Sequence, residues 1–295
     1  MFDRTYAKLY RYVCIESKFI NFMIKITLRA SLAIFLMLGT SSIFAQESKP
    51  ESTQKTKEEI EKAAQNPIAS MYVLPFQNNT QFGIGADKRT QNITNIQPVI
   101  PVSLSENVNL IVRTIIPIIS QPTTINESEF GLGDVALSLF FTPRKPGKII
   151  WGVGPAIGIP TATDAVLGTK KWSAGPSVIA LVQPKGWTMG FVIQNTWSFA
   201  GDDTRADVNA FYTNIFIVKN LKKGWYVNSA PIITANWNAA DGEQWTVPLG
   251  VGAGKVFRVG KLPINAQVGY YNYVIAPTNG PDWQLRAQIN LMFPK

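Results

Sequence analysis

Trp283-Gln284-Leu285-Arg286-Ala287-Gln288-Ile289-Asn290-Leu291-Met292-Phe293 lies at the end of the chain in almost strict alternation. Trp283, Leu285, Ala287, Ile289, Leu291 and Phe293 share one parity; Gln284, Arg286, Gln288, Asn290 and Met292 share the other. Successive side chains of a strand point to opposite faces, so this stretch reads as a strand with one apolar and one polar side. The pattern recurs upstream. Val108, Leu110, Val112, Thr114, Ile116 and Ile118 alternate around Arg113. Trp187, Met189, Phe191 and Ile193 do so before Gln194, and Ile264, Ala266, Val268 and Tyr270 around Gln267.

Read this way, strands fall near 67–76, 92–101, 107–118, 132–142, 149–159, 171–183, 187–199, 207–218, 225–237, 245–256, 262–275 and 283–293. Twelve is an even count, with ten and fourteen as its neighbouring solutions. Most of these segments exceed the usual five or six residues and match the 9 to 11 tilted residues that cross a bilayer. The fold expected is all-β: a transmembrane antiparallel up-and-down β-barrel of about 12 strands occupying 67–295.

A soluble β-sandwich also alternates, so the connections must discriminate. In an up-and-down barrel they fall into two sets at opposite ends. One set is short and carries Arg144, Lys145, Lys148, Lys185, Lys219, Lys222, Lys223, Arg258 and Lys261 against Glu106 alone. The other is longer and rich in acids: Asp87, Glu127, Glu129, Asp164, Asp202, Asp203, Asp207, Asp241, Glu243 and Asp282, against Lys88, Arg89, Lys170, Lys171 and Arg205. Short turns at one end and long loops at the other is the asymmetry of a bacterial outer-membrane barrel. The tryptophans sort in the same way. Trp151, Trp187 and Trp225 open strands at the basic end, while Trp172, Trp197, Trp237, Trp245 and Trp283 lie where strands meet the acidic loops. An amphipathic ring is most stable between headgroups and acyl chains, so these eight are the expected interfacial girdle.

The N-terminus supplies the export signal such a barrel needs. Met23-Ile24-Lys25-Ile26-Thr27-Leu28-Arg29 is a basic region, 30–38 is an apolar core, and Ser41-Ser42-Ile43-Phe44-Ala45 precedes Gln46 as a cleavage site. Residues 1–45 therefore read as a signal peptide, with Met23 as an alternative start. The apolar core is too short to span a membrane. The formal charge of +9 includes six bases of that segment, Arg4, Lys8, Arg11, Lys18, Lys25 and Arg29. The sole cysteine, Cys14, also lies there, so no disulfide is expected after cleavage. Residues 46–66 are polar and charged. They read as a periplasmic tail, either a solvated linker, the favoured reading, or one short helix over 53–64.

Composition limits the chemistry. There is no histidine, which removes Ser-His-Asp and Cys-His catalysis and His-ligated zinc. No enzyme, metal site or cofactor is expected. Charged residues make up 16% of the chain, against about 25% in soluble domains. Gly250-Val251-Gly252-Ala253-Gly254-Lys255 lacks both the spacing and the following Ser/Thr of a phosphate loop. Glu127 with Glu129, and Asp202-Asp203 with Asp207, lack the spacing of a calcium loop and read as solvated. Nucleic acid is disfavoured, since the bases sit in separate short turns.

Several blocks carry a family resemblance: Pro75-Phe76-Gln77-Asn78-Asn79-Thr80, Ile96-Gln97-Pro98-Val99-Ile100-Pro101, Gly131-Leu132-Gly133-Asp134, Trp151-Gly152-Val153-Gly154-Pro155 and Pro160-Thr161-Ala162-Thr163-Asp164 among them. With these the chain resembles, from about residue 66 to Lys295, the outer-membrane family named for the meta-pathway of phenol degradation. The resemblance implies an outer-membrane barrel that passes small hydrophobic or aromatic solutes and brings no catalytic motif. The ending Phe293-Pro294-Lys295 departs from outer-membrane practice, in which the aromatic assembly signal is the last residue.

Parity predicts the lumen lining. Arg113, Gln194, Asn209, Asn228, Asn236, Gln267, Gln284, Arg286 and Gln288 are the candidates, with Asn109, Thr213, Asn265 and Asn290 beside them. Arg113 and Arg286 are charges at mid-strand, where facing lipid would cost about 2 to 4 kcal/mol. Two roles suit them, bracing the lumen or selecting the solute. The expected function is passive passage of small apolar or aromatic solutes, the alternative a plugged structural or adhesion barrel. The partners expected are membrane lipid, lipopolysaccharide and the barrel-assembly machinery.

Overall fold

The computed structural model describes residues 57–124 and 126–293. The expected signal peptide over 1–45 and residues 46–56 lie outside them. Twelve strands follow one short helix: α1 (Lys57–Ala64), β1 (Tyr72–Ile84), β2 (Arg89–Ile96 and Val99–Ser103), β3 (Val108–Pro122), β4 (Ser128–Leu132 and Val135–Pro143), β5 (Ile149–Ile159), β6 (Lys171–Val182), β7 (Trp187–Gly201), β8 (Asn209–Asn220), β9 (Trp225–Ser229 and Ile232–Asn236), β10 (Trp245–Val259), β11 (Leu262–Ile275) and β12 (Trp283–Phe293). Each pairs antiparallel with the next, and β12 pairs with β1 from Tyr72↔Phe293 to Phe82↔Trp283. The sheet closes on itself, which leaves no unpaired edge.

Alternation explains which way each strand faces. On β12, Gln284, Arg286, Asn290 and Met292 are buried in the interior, while Leu285, Ile289 and Phe293 stand exposed on the outside. The same apolar exterior recurs around the wall, as at Val153, Val178, Phe191, Ile215 and Val268. A soluble domain buries such a surface; a barrel wall presents it to lipid. Among the described residues no helix is long and apolar enough to cross a membrane.

The first strand corrects the sequence reading. It spans Tyr72–Ile84, not 67–76, and a tight hairpin joins it to β2. Residues 67–71 turn inward. Helix α1 and this segment pack inside the short-turn end of the barrel, so residues 57–66 are not the solvated linker that their charge favoured. Ile60, 3% exposed, clusters with Ala69, Met71, Val218, Tyr226, Val256 and Met292. Ile68 is buried in a second cluster with Val99, Ile111, Phe140, Ile179, Leu181, Val192 and Phe216. The helix puts Ile60, Ala63 and Ala64 on one stripe, and Glu58 and Lys62 pair at 3.0 Å, well exposed.

Candidate functional site

Interior side chains hold the plugging segment by its backbone and by Gln65. Gln183 Nε2 donates to the carbonyl of Lys62 at 2.8 Å, and Asn265 Nδ2 to that of Ala64 at 3.4 Å. Thr188 Oγ1 donates to Gln65 Oε1 at 2.8 Å, and Gln65 Nε2 donates to Asn220 Oδ1. Asn109 Nδ2 donates to Ser70 Oγ at 3.1 Å. The first two of these bonds go to carbonyls of the last helical turn, which lack a partner within the helix's regular ladder. The turn end is thus filled by apolar packing and tied by hydrogen bonds.

Above the plug lies a cavity of about 400 Å³. Its floor is Ala63, Ala64 and Pro67, its apolar wall includes Ile93, Ile115, Tyr212 and Phe216, and amides supply most of the remainder. Six of the nine lining candidates border it: Arg113, Asn228, Gln267, Gln284, Arg286 and Gln288. Gln194 and Asn236 border a second hollow nearer the loops, which also contains Glu243. Asn209 is not in the lumen. It pairs with Trp197 on the outer parity and accepts from Asn195 Nδ2 at 3.0 Å, while Trp237 Nε1 donates to Asn195 Oδ1 at 2.8 Å. At the rim a polar side chain finds partners on the outside too. Thr213 shares this outer parity.

The amides form ladders. Gln267 Nε2 donates to Gln288 Oε1 at 2.7 Å, Gln288 Nε2 to Asn290 Oδ1 at 2.7 Å, and Asn228 Nδ2 to Gln267 Oε1 at 3.2 Å. Sequence reasoning missed Gln77, Asn79, Gln81 and Asn214, which border the same cavity. Gly254 lies against one of the lining residues, Tyr226, for a steric reason. A Cβ there would lie 2.3 Å from Tyr226 Oη, which donates to Asn265 Oδ1 at 2.7 Å.

The two arginines are held by neutral groups. Arg286, 5% exposed, donates from Nε to Asn79 Oδ1 at 3.0 Å and from Nη1 to the carbonyl of Ala230 at 2.8 Å. Its guanidinium lies 4.6 Å from the centre of the Tyr271 ring. Arg113 Nη2 donates to Gln97 Oε1 at 2.9 Å.

The bond from Arg286 to Ala230 marks an irregular seam. Between β9 and β10 the ladder stops after Asn228↔Gly252 and resumes at Thr234↔Thr246. Residues 229–233 and 247–251 have no ladder partner across this seam. Ala230 and Pro231 also lack a ladder partner on β8. Proline has no N–H to donate, so a break is where it fits. The freed carbonyls of Ala230 and Pro231 accept from Asn214 Nδ2 at 3.2 and 2.9 Å. One side-chain bond spans the seam, from Ser229 Oγ to the carbonyl of Gly250 at 2.7 Å. Ala230, Ile232 and Pro248 line both this seam and the cavity.

Tryptophans stand on the outer parity in two rows. Trp151, Trp187 and Trp225 are exposed at the turn end, with Lys219 Nζ 4.3 Å from the Trp187 ring centre and Lys255 Nζ 5.0 Å from that of Trp225. At the loop end Trp172 and Trp197 are exposed, Trp237 meets Trp245 edge-on at 5.2 Å, and Trp283 stacks on Phe82 at 3.9 Å.

Ion pairs and hydrogen bonds order the loops. Asp134 accepts from the backbone of Ala162 and from both N–H and hydroxyl of Thr169. A hydrogen bond from Lys171 holds the Asp207 carboxyl below its ordinary value, and Ser198 adds to the effect. Thr204 lowers Asp202 through its hydroxyl and backbone N–H.

With this geometry in hand, comparison with solved structures supports the fold. The COG4313 outer-membrane channel from Pseudomonas putida F1 aligns over 76% of this chain and 94% of its own, with a TM-score of 0.57 and 17% identity. At that identity the likeness is one of fold. A monoaromatic hydrocarbon channel, CymD, aligns over 80% of this chain and 93% of its own, at a TM-score of 0.43 and 10% identity, too distant to add to it. No protein-family model matches the chain, and neither does any curated protein.

Proposed function

We propose that the protein is a bacterial outer-membrane channel that lets small hydrophobic or aromatic solutes cross passively. The carrying observation is the cavity of about 400 Å³ that ends on a packed plug yet borders an unpaired seam in the wall. A solute entering from the loop end meets apolar side chains and amides, and leaves sideways between β9 and β10 into the bilayer. The apolar exterior, the tryptophan rows and the fold shared with an outer-membrane channel support the location. The sequence blocks that resemble the phenol meta-pathway family support the solute class. In this reading residues 1–45 are removed on export, the basic turns face the periplasm and the acidic loops face outward among lipopolysaccharide. The assembly machinery recognises Phe293. Selectivity comes from lumen width and lining, with no covalent step.

An apolar aromatic already dissolves in phospholipid, so the barrier to test is the lipopolysaccharide leaflet. Cells expressing the full chain are expected to take up toluene faster than cells without it. Equal uptake, with the barrel confirmed in the outer membrane by its heat-modifiable migration, would overturn the proposal and favour a plugged structural barrel.

A further inference from the structure

The cavity carries fixed positive charge with nothing on its surface to balance it. Of the residues that border it, two are charged, Arg113 and Arg286, and none is Asp, Glu or Lys. Among the described residues neither arginine forms an ion pair. Arginine stays protonated at any working pH, so it does not escape burial by losing its proton. The partners that hold these side chains are an amide oxygen on Gln97, an amide oxygen on Asn79 and a backbone carbonyl. Bracing neutral acceptors needs donors, which an uncharged amide also supplies. It does not need two full charges in one small low-dielectric space, where burying them unpaired is costly. Glu243, the acid of the neighbouring hollow, is already occupied: its Oε1 accepts from Thr278 Oγ1 at 2.7 Å.

An anionic guest would relieve this imbalance and a neutral one would not. The same cavity has apolar wall residues, among them Ile93, Ile115 and Phe216, and the ring of Tyr212 borders it. We infer that the cavity is a binding site for small carboxylates with an apolar body, such as aromatic acids, whose carboxylate is held by Arg113 and Arg286. The inference deepens the channel reading and rests on it, naming a class of guest that the cavity holds.

The test measures binding to the full-length protein folded in a neutral detergent, with three probes of one ring size. Benzoate is expected to bind about tenfold more tightly than benzyl alcohol, with benzyltrimethylammonium weaker than both. Added salt should weaken benzoate alone. Arg113→Gln should remove the benzoate advantage and leave benzyl alcohol unchanged, while Arg113→Lys should keep part of it. Arg113 is the first target because it is less buried than Arg286, and heat-modifiable migration checks that each variant is folded. Benzoate binding no better than benzyl alcohol, or an advantage that survives in a folded double Gln variant, would overturn the inference. The channel reading would then still stand on toluene uptake. If no probe binds, the inference falls, and the uptake assay decides the channel separately.

Discussion

Two seams of the same barrel show opposite construction. Along β12 and β1 every rung from Tyr72↔Phe293 to Phe82↔Trp283 is paired, and Phe82 stacks on Trp283 at the top. Along β9 and β10 the ladder lapses for five residues on each strand, and side chains of the lumen bond the carbonyls of Ala230 and Pro231. Unsatisfied backbone groups cost several kcal/mol each in a lipid-facing wall. The broken seam is tolerable because Arg286 and Asn214, on β12 and β8, reach its carbonyls from inside. The closed seam supplies strength, and the open one supplies a site where wall and cavity meet.

The largest expected effect comes from breaking the closed seam. Ala287→Pro removes a ladder donor in mid-strand and should cost about 3 kcal/mol or more, read as loss of the heat-modifiable folded form. The converse change at the open seam, Pro231→Ala, should leave that form intact and shift stability by less than about 1 kcal/mol. Next in size is the plug. Ile60→Ala should weaken its docking by about 2 kcal/mol and expose residues 57–66 to protease without unfolding the barrel. Gly254→Ala sharpens the contrast two rungs before the last pair at the break. Its Cβ, 2.3 Å from Tyr226 Oη, must displace that ring from Asn265, at a cost of about 1 to 3 kcal/mol in thermal unfolding.

The smallest effect is set by pH in the loops above both seams. Asp202 and Asp207 have carboxyls held below the ordinary value of 3.8 in the folded state. Their contribution is therefore present above pH 3.8 and lost as pH falls through their lowered values. Limited proteolysis should find the loops around Lys171 and Asp207 protected at neutral pH and loosened in strong acid. Asp207→Asn should bring part of that loosening to neutral pH.

The wall was legible wherever lipid-facing positions are apolar, as on β12. It was not legible on β1, and the reason is physical. Asn78 and Thr80 stand on the outer parity there and bond to Asn92 and Thr94 across the strand, with Asn78 Nδ2 to Thr94 Oγ1 at 2.8 Å. A strand polar on both faces reads as a loop, so Gln77, Asn79 and Gln81 were lost from the lining. The assumption that polar means lumen likewise misplaced Asn209, whose partner Asn195 is also on the outside. Six of the candidates did fall around one cavity, because Gln and Arg at mid-strand have little choice of face. The plug had a weaker signal. Its charges dominate the composition, yet Ile60, Ala63 and Ala64 already lie at helical spacing, followed by Ile68 and Met71.

The decisive measurement closes the open seam reversibly. Ser229 and Val251 share the outer parity and would form the next rung beyond Asn228↔Gly252. In a chain that also carries Cys14→Ser, a Ser229→Cys, Val251→Cys pair introduces the only thiols. Oxidation of this pair should slow toluene uptake by cells to the level without the protein, and reduction should restore it. Undiminished uptake with the disulfide formed would contradict lateral exit between β9 and β10.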